Sequence, residues 1–474
     1  MDGRCPPLYV KNMEKFVNIP FHELINPAGF ACSCGKHHAA LPLRYLAVDS
    51  GCIRKLPDAL KAVGATLPFL VMDENTRNVA GCQAMDILSG VGMPFRLFCF
   101  SGTERVLPND HSVAELEAAF PKECDFILGI GSGVINDLCK MLAHSRGLAC
   151  GIVATAPSMD GYASNSSAME LSGIKTTVYT TCPSMILCDT EIMRRAPAIM
   201  VQSGFGDMVA KVISIADWRI AHLIIGEYYC ENIAQLMLSA CEKILNHAQG
   251  IAAREETAIR CLTEGLILSG IASSFAGVSR PASGMEHTIS HLLEMFAMSQ
   301  GKVPFYHGIQ VGYGLRIALA LYQYAYDFVP TAEKAAMAHA AFDGSQWEAA
   351  MRSTFGQQAE ALLRSAAAEQ RNSPAVAAEH CAAAVEHWDE IRGIIAEVLS
   401  QKQKLEAALD LMRIPGMGTP ETIGYSIHDA LNAVKFSRDL RSRYIFTSLC
   451  WDIGLTRYSD FDEWFMALIG KNGS

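Results

Sequence analysis

The stretch CDFILGIGSGVINDLCK, residues 124–140, decides the fold. Its first half is an apolar run of the length of one buried strand, and its second half has helical spacing. Glycines 129, 131 and 133 stand at the junction. The same alternation continues on both sides. Apolar runs at 67–73, 94–100 and 152–158 read as further strands, and 53–66, 75–89 and 112–121 read as helices. Strands alternating with helices predict a parallel sheet covered by helices. Residues 1–50 read as an N-terminal extension with short strand-like runs such as RYLAVD, 44–49. Beyond 195 long helical periodicities take over, at 206–224, 231–249, 256–275 and 331–413. The expectation is an α/β nucleotide-binding domain over 1–195 and an all-α domain over 196–474. The Ala-rich segment 342–390 reads as exposed helices and a possible insertion.

Composition narrows the class. The chain has 474 residues, half of them hydrophobic and 19% charged, enough to bury a large core. A net charge of −10 argues against a general nucleic-acid or anionic-membrane surface, which needs clustered Lys and Arg. No run of 18 uncharged apolar residues predicts a membrane span, and MDGRCPPLYVKNMEKF lacks the apolar core of a signal peptide. A cytoplasmic protein is expected. The 16 cysteines mostly sit inside apolar runs, as at 139, 150, 188 and 261, and read as small buried hydrophobes. CSCGKHH, 32–38, differs: it looks like half of a metal site, but no second Cys pair follows at a suitable spacing. A strand-turn-strand element is the preferred reading there over a structural zinc.

The glycine junction has a chemical reading. Glycines let backbone N–H groups approach a pyrophosphate, and a helix N-terminus favours its charge. The pattern is neither the usual dinucleotide fingerprint nor a P-loop, and glycines also serve tight turns. Asp73 adds weight, because an acid ending a strand can accept from ribose hydroxyls and leans toward NAD(H). Its competing reading is a helix N-cap. TAPSMDGYAS, 155–164, follows the next strand, where ligands of open α/β sheets bind; a plain surface turn is the alternative.

In the helical half, SGMEHTISHLLEMFAMSQGKVPFYH spans 283–307. His287 and His291 lie four apart on one helical face and His307 follows a short loop, so imidazole ligands for a divalent metal are one reading. Satisfied core or surface histidines are the other. The zinc-protease pattern fails, because Thr288 rather than Glu follows the first His.

In this order, GSGVINDLCK (131–140), TAPSMDGYAS (155–164), FGDMVAK (205–211), SGMEHTISHLLE (283–294), HGIQVGYG (307–314), PETIGYS (420–426) and SRDLRSRYIF (437–446) resemble the dehydroquinate synthase-like and iron-containing alcohol dehydrogenase-like superfamily. Within it the resemblance is strongest to glycerol-1-phosphate dehydrogenases of the bacterial araM type. It implies a dehydroquinate synthase-like fold with an active site in the cleft between an α/β and an all-α domain. It further implies one divalent metal (Zn, Ni or Fe) on Asp207, His287 and His307, with Asp160, Asp207 and His291 toward the substrate. NAD(H) or NADP(H) would contact Asp73, Gly131, Ser132, Gly133, Val134, Ile135, Thr155, Ala156, Pro157, Ser158 and Ser164. The implied reaction is reversible reduction of dihydroxyacetone phosphate to sn-glycerol 1-phosphate, which serves phospholipid biosynthesis. Asp160 and His291 are the expected catalytic residues, with His291 as a proton relay. A homodimer or larger homo-oligomer is expected.

Two departures stand out. Ser132 replaces a third glycine found in many superfamily members, and the Ser-Val-Gly-Gly-Lys of dehydroquinate synthases is here Asp160-Gly-Tyr-Ala-Ser164. Lys211, Arg441 and Arg443 read as structural or exposed charges rather than phosphate ligands. Alternative functions are a dehydrogenase for an unphosphorylated polyol or alcohol, and a non-catalytic metabolite-binding protein that kept the fold.

Overall fold

The computed structural model describes residues 29–467 except 40, 103, 172–173, 457–461 and 464. The expectations for residues 1–28 lie outside the described residues. Packing divides the chain into two compact units. One holds the residues up to Met208 together with Cys230–Pro281; the other holds Val209–Tyr229 and the residues from Ala282 onward. This differs from the single boundary read near 195. The helices Glu231–Asn246 and Glu256–Ala276 look like part of the helical half, but they pack with the α/β sheet.

In the first unit, β1 (Phe30–Ala31) and β2 (His37–His38) form a small antiparallel hairpin. The main sheet contains β3 (Tyr45–Asp49), β4 (Pro68–Asp73), β5 (Arg96–Phe100), β6 (Phe126–Gly131), β7 (Ala149–Ala154) and, after a gap, β10 (Met185–Asp189). Its order is β3-β10-β7-β6-β4-β5, with every pairing parallel. Alternate residues face opposite sides of a strand. Leu70, Met72, Leu128 and Ile130 accordingly fill one core with Leu56, Leu60 and Leu88. Phe69, Val71 and Ile127 fill the other with Leu138 and Leu142 of the helix Gly133–Arg146. Burial on both faces explains the unbroken apolar runs that made these strands readable.

The strand order locates the ligand edge. From β4 the chain moves outward to β5, then returns to the opposite side of β4 as β6. That reversal between β4 and β6 is a topological switch point, and ligands of such sheets bind beyond the carboxyl ends there. The β4–β6 register pairs Val71 with Gly129, and the same offset brings Asp73 level with Gly131.

Two elements escaped the sequence reading. Met185–Asp189 is five residues long and pairs with β3 and β7, both distant in sequence. β8 (Ser166–Leu171) and β9 (Ile174–Tyr179) form an antiparallel pair beside the loop at 155–165. RYLAVD, placed in an extension, contributes the edge strand β3 of the main sheet.

The second unit is helical. Helix 206–224 of the sequence reading is two elements, Ala198–Val209, which belongs to the first unit up to Met208, and Lys211–Ile225, which belongs to the second. Within 342–390 the helices Gly344–Phe355, Ala359–Ala368 and Pro374–Glu386 bury Trp347, Met351, Phe355, Leu363 and Cys381. Phe355 packs against Phe296 and Phe436, with ring centroids 5.7 and 5.4 Å apart. These helices therefore carry part of that unit's core, which exposed helices would not. The helix Glu256–Ala276 is long and apolar enough to cross a membrane by composition alone, but 78% of its apolar window is buried inside the protein.

Candidate active site

The first unit supplies the carboxyl edge of the sheet, where the glycine junction lies. β6 ends at Gly131, and Ser132, with extended backbone, is the N-cap of the helix Gly133–Arg146. Its side chain makes no capping hydrogen bond. The first-turn N–H groups of a helix have no intrahelical acceptor and suit an anion. A Cβ on Gly131 would lie 2.6 Å from Ile135 Cβ, so glycine is what lets the helix start so close to the strand. Asp73 does cap a helix: its Oδ1 accepts from Thr76 N at 2.7 Å, within a reciprocal capping box. The cap fixes the carboxylate at the end of β4, and so does not displace the ribose reading.

The loop after β7 is organised from below. Thr155 N donates to Gly131 O at 3.0 Å, and Tyr162 Oη donates to Ala156 O at 2.6 Å. Burial pushes the Tyr162 phenol well up, so it stays protonated as that donor. Ser203 holds the Ser158 carbonyl at 2.9 Å. Lys140, fully buried, donates to Gly161 O and Ser164 Oγ at 3.2 Å each and to Ser166 O, and pairs with Asp137 at 3.0 Å. The Ser164 hydroxyl is thus part of the loop's own scaffold. A Cβ on Gly204 would lie 2.0 Å from Pro157 O, so the helix Ala198–Val209 lies directly against this loop. Asp160 Oδ2 accepts from Ser269 Oγ at 2.7 Å, while its backbone N–H donates to Oδ2 of the fully buried Asp207 at 3.0 Å.

The second unit supplies the imidazoles. The helix Met285–Ser299 carries His287 and His291, and His307 opens the helix His307–Ala325. Buried Asp217 holds the first of these at its start, accepting from Met285 N at 2.7 Å, Tyr322 Oη at 3.0 Å and Phe446 N at 3.2 Å. The helices cross tightly, since a Cβ on Gly314 would lie 2.5 Å from the Glu286 carbonyl oxygen. The ring centroids of His287 and His291 lie 5.4 and 5.5 Å from that of His307.

Each imidazole is oriented by a buried carboxylate. His287 Nδ1 donates to Glu286 Oε1 at 2.7 Å, His291 Nδ1 to Glu294 Oε2 at 3.2 Å, and His307 Nδ1 to Glu294 Oε1 at 3.1 Å. An ionised carboxylate only accepts, so all three rings carry a proton on Nδ1, and it is Nε2 that a neutral ring then offers as a lone pair. For His287 this is doubly fixed, because the ammonium of Lys211 approaches its Nε2 at 3.3 Å. Burial works to raise the Glu286 acid, but hydrogen bonds from His287, Ser214 and Gly284 hold it below the ordinary range. Burial first, and then the charge of Arg441, pulls His291 down to about 3, so it rests neutral. Lone-pair Nε2 atoms backed by carboxylates are the donor set of an imidazole metal site. His291, Glu294 and His307 also bring ligand atoms within 4.8 Å of one another.

Glu286, Glu294 and Lys211 went unread as site residues. Glu294 stands three residues after His291 on the same face, the one spacing signal available. Lys211 is fully buried, donating to Ala282 O at 2.9 Å, and Arg443 donates to Ser283 O at 2.8 Å, so neither is an exposed charge.

Comparison with known proteins places this arrangement. Residues 47–197 match the family described as iron-containing alcohol dehydrogenase. A glycerol-1-phosphate dehydrogenase [NAD(P)+] of Halalkalibacterium halodurans is 35% identical over 294 residues, covering 62% of this chain and 74% of that protein. The chain belongs to the glycerol-1-phosphate dehydrogenase family. A Bacillus licheniformis member is 35% identical over 60% of this chain and 71% of its own length. The fold extends beyond the family: a glycerol dehydrogenase from Schizosaccharomyces pombe superposes with a TM-score of 0.60 over 91% of this chain and 90% of that one, at 16% identity. The expected dehydroquinate synthase-like architecture, a parallel α/β sheet followed by a mostly helical region, is the one observed.

Proposed function

We propose that this chain reduces dihydroxyacetone phosphate reversibly to sn-glycerol 1-phosphate, using NADH or NADPH and one divalent metal held by Asp207, His287 and His307. The observation that carries this reading is the orientation of three imidazoles by two buried glutamates, which leaves each Nε2 as a donor atom. Bound, the nicotinamide supplies a hydride and the metal supplies a Lewis acid. The residues do the rest. The glycine edge at 131–135, with Thr155–Ser158, Ser164 and Asp73, binds the dinucleotide, the acid taking the ribose hydroxyls. Asp160 positions the substrate, its carboxylate steadied by Ser269.

In the oxidation direction the neutral His291 accepts the proton of the substrate hydroxyl at Nε2 while Glu294 holds its Nδ1 side, and in the reduction direction Nε2 first takes a proton from solvent and then gives it to the new alkoxide oxygen. His291→Ala is expected to lower turnover by about 10²–10⁴-fold with metal stoichiometry unchanged, as read by metal analysis beside steady-state kinetics. Loss of the metal from that variant would instead make His291 a ligand.

Arg441 favours a phosphorylated substrate over a plain polyol, because its positive charge already bears on His291. The test is NADH oxidation with dihydroxyacetone phosphate, with unphosphorylated dihydroxyacetone in parallel, across several divalent metals. Turnover of the phosphate ester is expected, with the preference for it reduced in Arg441→Ala. Oxidation of each glycerol phosphate enantiomer then reads the chirality. Turnover of the unphosphorylated ketone alone would replace this reading with the polyol dehydrogenase, and no turnover with any metal would end the enzymatic one. A cytoplasmic homo-oligomer serving phospholipid biosynthesis is the setting this function implies.

A further inference from the structure

Within the first unit lies a second donor set that the proposed reaction does not use. Cys32 opens the turn of the β1–β2 hairpin and Cys34 lies within it, His38 ends the hairpin, and Cys230 is the N-cap of the helix Glu231–Asn246. Their ligand atoms all lie within 4.8 Å of one another. Cys32 Sγ is 3.6 Å from Cys230 Sγ, Cys34 Sγ is 3.5 Å from His38 Nε2, and Cys230 Sγ is 3.7 Å from His38 Nε2. A zinc ion takes sulfur at about 2.3 Å and imidazole nitrogen at about 2.0–2.1 Å. A regular tetrahedron with those arms has S···S edges of about 3.8 Å and S···N edges of about 3.6 Å. The measured edges match both.

The surroundings select the same occupant. His38 Nδ1 donates to the carbonyl of Phe275 at 2.7 Å, which fixes the tautomer and leaves Nε2 as a lone pair aimed at the sulfurs. Asn232 Nδ2 donates to Cys32 Sγ at 3.0 Å, a hydrogen bond suited to a thiolate. At 3.6 Å the Cys32 and Cys230 sulfurs are far beyond the about 2.0 Å of a disulfide. Three thiolates and an imidazole form a closed set with no open position for substrate, the pattern of a structural site.

We propose that Cys32, Cys34, His38 and Cys230 bind one structural zinc ion. It ties the N-terminal hairpin to the start of one helix and, through Phe275, to the end of the helix Glu256–Ala276. The neighbouring Ser274 donates to Ala163 O at 3.2 Å, and Ser269 of the same helix holds Asp160. The ion therefore steadies a helix that backs the loop at 160–164.

The test uses the full chain and metal analysis. After dialysis against a weak chelator, one zinc per chain is expected to remain in wild type and in His287→Ala/His307→Ala, and none in Cys34→Ser or Cys230→Ser. Cobalt(II) exchanged into wild type should show thiolate-to-cobalt charge transfer and intense tetrahedral bands, absent from the Cys variants. His38→Cys should keep the ion and shift that charge transfer. Should the Ser variants fail to fold, X-ray absorption on the wild-type zinc protein decides, with three sulfurs and one nitrogen expected. A zinc content indifferent to these cysteines, a cobalt spectrum without thiolate bands, or a Cys32–Cys230 disulfide in freshly prepared reduced-buffer protein would overturn the site.

Discussion

His287→Ala is expected to lose the catalytic metal and at least ~10³-fold in turnover. Lewis-acid stabilisation of developing charge is worth several kcal/mol, and about 1.4 kcal/mol is tenfold in rate. The variant also removes one of the three donors to Glu286 Oε1, the others being Ser214 Oγ at 2.6 Å and Gly284 N at 2.9 Å. Leaving a buried carboxylate less satisfied costs roughly 1–3 kcal/mol, so thermal stability should fall as well. Asp207→Ala separates the two effects, because it leaves all three donors to Glu286 Oε1 in place. It is expected to give the same metal loss and the same fall in turnover. Metal analysis must count the ion at the Cys32 cluster apart, since that one stays. Full metal and full activity in either variant would remove Asp207 and His287 from the ligand set.

Gly314→Ala is expected to damage the same site without touching a ligand. The added methyl would lie 2.5 Å from the Glu286 carbonyl oxygen, a backbone atom that no rotamer change can move. The helices Met285–Ser299 and His307–Ala325 must then separate where they cross. Overpacking of this kind costs roughly 1–3 kcal/mol, which for a unit of this size lowers the melting temperature by roughly 3–10 °C. Gly314 lies two turns after His307 on the same face, so the shift displaces His307 from His287. A misplacement near 1 Å costs about 10²-fold in rate, and a loss of that order in kcat/KM is expected. Gly393→Ala is the control. It also sits within a helix, Trp388–Ser400, but nothing lies within 4 Å of the position its Cβ would take. It should be neutral or slightly stabilising. Equal behaviour of the two variants in calorimetry would show that the crossing tolerates a methyl.

How much was readable in advance follows from the range of each interaction. β4 and β6 announce themselves because a doubly buried parallel strand is an apolar run with no polar alternation. Met185–Asp189 is equally buried, but it is short and its partners are β3 and β7, whose distance in sequence gives no local signal. Gly131 was legible as a close approach, whereas the clash that demands it is with Ile135 four residues on. His287, His291 and His307 were visible as a pattern. Glu286 and Glu294, which decide what those rings can do, look in sequence like any helix-surface acids. Lys140 was in plain view within the glycine motif, but apart from Asp137 its acceptors lie at 161–166, more than twenty residues on. The Cys32–His38 segment was read as a choice between hairpin and zinc. The structure shows the hairpin, and the partner that brings a fourth donor to it, Cys230, stands 198 residues from Cys32.

The interleaving of the two compact units has a consequence for synthesis on the ribosome. The chain leaves the first unit after Met208, spends Val209–Tyr229 in the second, returns for Cys230–Pro281 and then departs for good. Neither unit is a contiguous fragment. All six strands of the main sheet have been made by Asp189, but the helices that complete their unit are not finished until Pro281 has emerged. In the meantime the helix Lys211–Ile225, buried through most of its length, has no core to enter, because its companions begin at Ala282. A nascent chain stalled between 230 and 281 thus exposes an apolar helix that the finished protein hides, the kind of surface chaperones retain. Truncation at any single point should yield a chain with one unit incomplete, so fragments of this protein are poor substitutes for the whole.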